Sequence, residues 1–287
     1  MSHDQEQSIW DHLEELATRL RRVLTVLAIV TFAIMSAPSD PTQILKLNLS
    51  GYRPLISSIL EIIQESLLPG GVDLIAFNWL DPFYIYFLVA FIISFLITLP
   101  YLSWELYRFI TPALYEHERK GIFTFVFVVV LLFGVGVAYA WFLLLPTTFS
   151  VLHNFVNQSR VLPFFSVKDF YNMVAFGLLG SGIFYTFPVI IWLLVKVDLL
   201  EVESLKKNRK GIFVGLLVFT AILTPDPTPF TMLLMSVPFY ILYEITIQVL
   251  QRTTPDPVKK AIDAGLRASE RFLTREKESE EADTPLS

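Results

Sequence analysis

Residues 121–145 read GIFTFVFVVVLLFGVGVAYAWFLLL, 25 positions without one charged side chain. As an α-helix at ~1.5 Å per residue this run reaches roughly 37 Å, more than the ~30 Å hydrocarbon core of a bilayer. Comparable apolar runs lie on either side, at Val23 to Ala37, Pro82 to Leu99, Phe170 to Val195, Gly211 to Thr224 and Phe230 to Leu250. The composition agrees: 54% of the 287 residues are hydrophobic and only 17% charged, with a mean hydropathy of +0.56. That balance is not one a single water-facing domain can bury. The prediction is an all-α, polytopic membrane protein with six transmembrane helices.

Six spans return both termini to one side. The basic residues then segregate, with 18 of the 22 on the side of the N-terminus, the 101–120 and 196–210 loops and the tail. The other side holds Lys46, Arg53, Arg160 and Lys168. Because positive charge is retained on the cytoplasmic side during insertion, this split predicts a multi-pass protein of the cell membrane with both termini inside. The expected organisation is a six-span membrane domain over residues 1–250, opened by a cytoplasmic amphipathic helix, and a cytoplasmic tail over 251–287. The first run reads as a retained anchor, since the segment before it is too long and too acidic for a signal-peptide n-region.

Two amphipathic stretches lie outside the spans. Pro54 to Leu67 places Leu55, Ile59, Ile62, Ile63 and Leu67 on one stripe, which predicts a helix on the outer rim packed onto the spans. In the tail, Val258 to Leu273 carries apolar residues on one side and Lys259, Lys260, Arg267 and Arg271 elsewhere, a pattern suited to an anionic lipid surface. The end from Glu276 to Ser287 is charged and without aromatics, the composition of a disordered segment. Arg119-Lys120-Gly121-Ile122-Phe123 recurs as Arg209-Lys210-Gly211-Ile212-Phe213, each time as a basic cap before a span.

Several chemistries have no seat here. The chain has no cysteine, so it carries neither a disulfide nor a thiol nucleophile. His3, His12, His117 and His153 fall outside the spans without metal-ligand spacing, which predicts no metal site. Gly180-Ser181-Gly182 has no histidine at membrane depth to activate its serine and reads as a helix-packing patch. There is no phosphate-binding loop, no cofactor motif, and a net charge of −5 that excludes a generally basic nucleic-acid binder. The expectation is a protein that is not an enzyme.

The polar residues at the cytoplasmic end are more informative. Ser8 to Leu20 reads as an amphipathic helix with Ile9, Leu13, Leu16 and Leu20 on one face, flanked by Glu15 and Arg19, which at a spacing of four can pair along the helix. Residues 104–120, WELYRFITPALYEHERK, set Glu105, Glu116 and Glu118 among aromatics and basic residues. A cytoplasmic loop needs only the basic ones. On the sixth span Ser236, Tyr240, Glu244 and Gln248 share one face, and a carboxylate at that depth needs a partner or a proton.

His12-Leu13-Glu14-Glu15-Leu16 with Arg19-Leu20, and Phe109-Ile110-Thr111-Pro112-Ala113-Leu114-Tyr115 with His117-Glu118-Arg119, resemble the receptor subunit of the twin-arginine protein translocase, the TatC family. The similarity continues through Pro54-Leu55, Asp81-Pro82-Phe83, Phe187-Pro188, Leu223-Thr224-Pro225-Asp226 and Pro238 to Glu244, in order over residues 8–250. The chain departs from the family pattern at Ala17, where a further arginine is usual, and at Thr186, where a glutamate is usual.

The resemblance implies a receptor that binds the twin-arginine signal of folded precursor proteins and recruits TatA-type single-span subunits, with export driven by the proton gradient. It implies signal-peptide binding by Glu15 and Glu118, with Arg19, Glu14, Glu105 and Glu116 around them. The alternative for these groups is a solvated rim charge. Glu244, Thr186, Tyr240 and Gln248 are the candidates for partner docking or for an intramembrane polar anchor, and Thr224, Pro225 and Asp226 form the expected outer turn. The lipid bilayer is the remaining partner, and self-association is compatible with the reading. A small-solute secondary transporter is the competing reading, although the breaks at Pro188 and Pro238 have no matching inverted partner.

Overall fold

A computed structural model describes residues 9–39, 53–70, 72–110, 121–158, 164–197, 199–223 and 228–253. The described chain is built from helices, with one pair of short strands. In order they are α1 (Ile9–Met35), α2 (Leu55–Leu67), β1 (Asp73–Ile75), α3 (Asp81–Ile110), α4 (Ile122–Tyr139), a π-helical turn (Ala140–Leu144), α5 (Leu145–Gln158), β2 (Phe164–Ser166), α6 (Val167–Tyr185), α7 (Phe187–Lys196), α8 (Val202–Lys207), α9 (Arg209–Leu223) and α10 (Pro229–Thr253).

Among the described residues, four helices are long and apolar enough to cross a membrane: Asp81–Ile110, Ile122–Val156, Val167–Lys196 and Pro229–Arg252. They coincide with four of the six expected spans. The other two differ for separate reasons. α1 has the length, but Arg19, Arg21 and Arg22 lie in its middle turns. α9 is uncharged past Lys210 but has only 15 residues, a reach of about 22 Å.

Prolines shape the long helices in three ways. Pro188 has no N–H to offer the carbonyl of Phe184, and the expected fourth span divides at Thr186 into α6 and α7. Pro146 follows the π-helical turn, in which the Leu145 N–H reaches back five residues to the carbonyl of Ala140. Pro238 reads in the sequence as a break in the sixth span, yet α10 runs through it. The carbonyl that Pro238 leaves without a donor belongs to Leu234, and the Tyr139 hydroxyl from α4 donates to it at 2.5 Å. The neighbouring helix thus replaces the missing backbone bond.

The central packing unit is α3, α4 and α6, with α1 laid along α3 and α9 paired with α10. α4 and α6 approach closely where glycines permit it. A Cβ on Gly136 would stand 2.6 Å from the Ser181 carbonyl oxygen, and one on Gly182 would stand 2.5 Å from the Phe133 ring. Of the Gly180-Ser181-Gly182 stretch, Ser181, fully buried, and Gly182 are used for packing, whereas a Cβ on Gly180 would meet nothing within 4 Å. Away from these interfaces the helices present large apolar side chains, among them Phe32, Phe127, Phe142 and Phe176. Such a surface suits lipid rather than water.

α2 packs onto this unit, through a face rotated from the expected one. Ile56, Ile63 and Leu67 are buried with Ile59 beside them, whereas Ile62 is 53% exposed. Its entry is fixed by a bridge between Pro38 and Pro54 that joins it to the end of α1. β1 and β2 pair in parallel, Asp73 with Phe164 and Ile75 with Ser166. At the start of α3 the buried Asp81 carboxylate accepts the backbone N–H groups of Phe77 and Asn78, which meets its need for donors.

Candidate functional site

The charged residues at the N-terminal end of α1 and the C-terminal end of α3 are brought together by the packing of these two helices. Glu15 and Arg19 pair as their spacing predicts, the Arg19 Nε and Nη2 atoms standing 3.0 and 2.5 Å from Glu15 Oε1. The third nitrogen of the same guanidinium, Nη1, donates to Glu105 Oε2 at 3.1 Å. Tyr101, one turn earlier on α3, donates its hydroxyl to the other Glu105 oxygen at 3.2 Å. One planar cation is thus held by two carboxylates from different helices.

Burial gives this arrangement its weight. The Glu105 side chain is 7% exposed and that of Arg19 17%, so the pair is shielded from the solvent that weakens surface ion pairs. A carboxylate buried this deeply is costly without a counter-charge. The Glu15 hydrogen bond and, after the opposing effect of desolvation, the Glu105 one push the pKa of Arg19 above the ordinary arginine value, so the cation is kept. The end of α3 is itself held in place: Tyr107 is buried against Phe125 with ring centres 5.0 Å apart, and Trp104 meets the Phe123 ring edge-on. A shallow cavity of about 320 Å³ opens beside Arg19, lined by Glu14, Glu15, Thr18 and Arg22. Glu14 itself is exposed.

The contact between Arg19 and Glu105 spans 86 positions and carries no sequence signal of its own. The sequence places Glu105 only among the residues around Glu15 and Glu118; in the structure it is a direct partner of a guanidinium. Glu116 and Glu118 lie outside the described residues, as do Thr224, Pro225 and Asp226 and the amphipathic stretch from Val258 to Leu273.

The second polar cluster is on α10. Glu244 Oε2 stands 3.2 Å from Arg209 Nη2 at the start of α9, and Tyr240 lies one turn before Glu244 on α10. The sequence sets Tyr240 on the same face as Glu244 but shows Arg209 only as a basic cap before a span. Gln248 is exposed, so the stripe that begins at the buried Ser236 does not stay covered along its length. Thr186, in the break between α6 and α7, donates its hydroxyl to the Ile183 carbonyl at 2.5 Å, and its polar group is thereby met within its own chain segment. Among the described residues no group of three or more His, Asp or Glu side chains is placed to hold a metal ion.

Apolar helices that expose aromatics along their length, with polar clusters at or near helix ends, define a helical membrane protein. The chain belongs to the family of Sec-independent protein translocase proteins (TatC), whose pattern matches residues 11–238. It is 29% identical over 244 residues to the Sec-independent protein translocase protein TatCy of Bacillus subtilis, covering 85% of this chain and 89% of that one. It is 28% identical over 247 residues to TatC of Escherichia coli K12, with 86% and 89% covered. A crystal structure of the twin arginine translocase receptor TatC superposes with a TM-score of 0.68 at 27% identity, covering 83% of this chain and 98% of that one. The protein is a component of the Sec-independent, twin-arginine translocase, a membrane protein of a translocase family rather than of an enzyme family. This membership gives no support to the small-solute transporter alternative.

Proposed function

We propose that this chain is the receptor subunit of the translocase, binding the twin-arginine signals of folded precursors and recruiting TatA-type single-span subunits for export driven by the proton gradient. In this reading the chain makes six spans in the cell membrane, α1 and α9 included, with both termini and the 101–120 and 196–210 loops in the cytoplasm. The membrane domain covers residues 1–250, and residues 251–287 form a cytoplasmic tail. Glu15 and Glu118 take the signal arginines, with Glu14, Glu105 and Glu116 beside them, and Glu244 with Tyr240, Gln248 and Thr186 serves partner docking.

One observation carries the reading. Glu15 and Glu105 already grip a guanidinium between them, with three nitrogen–oxygen contacts of 3.1 Å or less. The planar fork of an arginine matches two carboxylates in a way that the point charge of a lysine does not. The site also lies toward the ends of α1 and α3, with Glu15 its more exposed carboxylate.

The experiment is photocrosslinking of a twin-arginine precursor to Glu118→Arg in membranes. Crosslinking is lost while membrane insertion is retained if Glu118 belongs to the site; crosslinking at the unmodified level removes Glu118 from it. Glu118→Gln is less damaging, since the amide still accepts a hydrogen bond but lacks the charge.

A further inference from the structure

Arg19 presents to Glu15 and Glu105 the same chemical group that a twin-arginine signal would bring. All three nitrogens of its guanidinium are committed to these two carboxylates. Glu105 is nearly sealed from solvent, with Tyr101 on its other oxygen. A signal arginine therefore meets a site that is already occupied. On one side of Arg19 lies the open cavity lined by Glu14, Glu15, Thr18 and Arg22, room for a displaced side chain next to an exposed carboxylate.

We propose that Arg19 is an internal occupant of the signal-peptide site, and that one of the two signal arginines binds by exchange: its guanidinium takes over Glu15 and Glu105 while Arg19 swings into the adjoining cavity beside Glu14. The proposal rests on the receptor reading above and specifies how that site selects its ligand. Exchange of one guanidinium for another keeps the buried Glu105 paired at both ends of the process. Displacement by a lysine would not. An ammonium brings the charge but lacks the planar set of donors that spans two carboxylates, so it leaves part of the Arg19 bonding unreplaced. Glu105 becomes a specificity-determining residue, and Arg19 sets the threshold that a ligand must exceed.

The test measures binding of fluorescent twin-arginine and twin-lysine signal peptides to the full chain in lipid nanodiscs, for the unmodified protein, Arg19→Gln, Arg19→Lys and Glu105→Gln. Removing the occupant raises twin-arginine affinity: Arg19→Gln tightens it about tenfold and Arg19→Lys by a smaller factor. Glu105→Gln weakens twin-arginine binding and brings the two peptides close to equal affinity. If both Arg19 variants bind the twin-arginine peptide no tighter than the unmodified chain, or Glu105→Gln keeps the full preference, the exchange is wrong and Arg19 is a strut between α1 and α3. Failure of both Arg19 variants to give a monodisperse protein identifies a strut as well and overturns the proposal. The unmodified chain reports separately on the receptor reading, which falls if that protein does not prefer the twin-arginine peptide.

Discussion

The Tyr139 hydroxyl donates to the Leu234 carbonyl, the acceptor that Pro238 leaves vacant one turn further along α10. A proline within an apolar helix removes one backbone donor, and no water is present at membrane depth to compensate. The hydroxyl from α4 closes that deficit and joins the two helices. Tyr139→Phe removes the donor and is expected to destabilise the protein by about 1–3 kcal/mol. In a Pro238→Ala background the backbone N–H regained at that position serves Leu234, so the same tyrosine change costs much less. Thermal unfolding of the two single variants and the double variant in detergent checks this; equal losses in both backgrounds contradict it.

Gly136 and Gly180 make opposite predictions on facing helices. A methyl group on Gly136 meets the Ser181 carbonyl and the Tyr185 Cβ, both backbone-anchored, while one on Gly180 meets nothing within 4 Å. Gly136→Ala is expected to cost about 1–3 kcal/mol or more by forcing α4 and α6 apart. Gly180→Ala is neutral or stabilising, by up to about 1 kcal/mol from helix propensity. Size-exclusion chromatography after heating separates the two.

What can be read from the sequence is what local pattern encodes. The runs that form α3, α4, α6 and α10 are plain as long, mostly apolar stretches, and the pairing of Glu15 with Arg19 follows from a spacing of four. Features that depend on a neighbour are not visible there. The passage of α10 through Pro238 needs Tyr139; the buried face of α2 turns on Ile56, which only the packing against the central helices selects. Three-residue strands at Asp73–Ile75 and Phe164–Ser166 are too short to show alternation. Arg19 and Glu105, and Arg209 and Glu244, are paired by tertiary structure alone, so the carboxylates can be named from sequence but their partners cannot.

Glu244 allows its anchoring and docking roles to be separated. Its partner Arg209 is 44% exposed, so the ion pair is worth at most about 1 kcal/mol. Glu244→Ala is therefore expected to leave a folded protein that still binds twin-arginine peptide, and to lose co-purification with TatA-type subunits. Disappearance of the protein from the membrane would make Glu244 a structural anchor instead.

The reach of α9, about 22 Å against the ~30 Å core of a bilayer, predicts local thinning where it stands. Four leucines inserted into α9 lengthen it by about 6 Å. Export of a folded twin-arginine precursor from intact cells is expected to fall, with peptide binding unchanged. Unaltered export would mean that the shortness of this helix has no part in translocation.

The receptor assignment is tested most directly by equilibrium binding of a twin-arginine signal peptide and its twin-lysine counterpart to the unmodified full-length chain in nanodiscs. Two carboxylates already shaped around a guanidinium predict a preference of at least about tenfold for the arginine peptide, weakening as salt rises. Equal binding of the two peptides, or binding of neither, would contradict it.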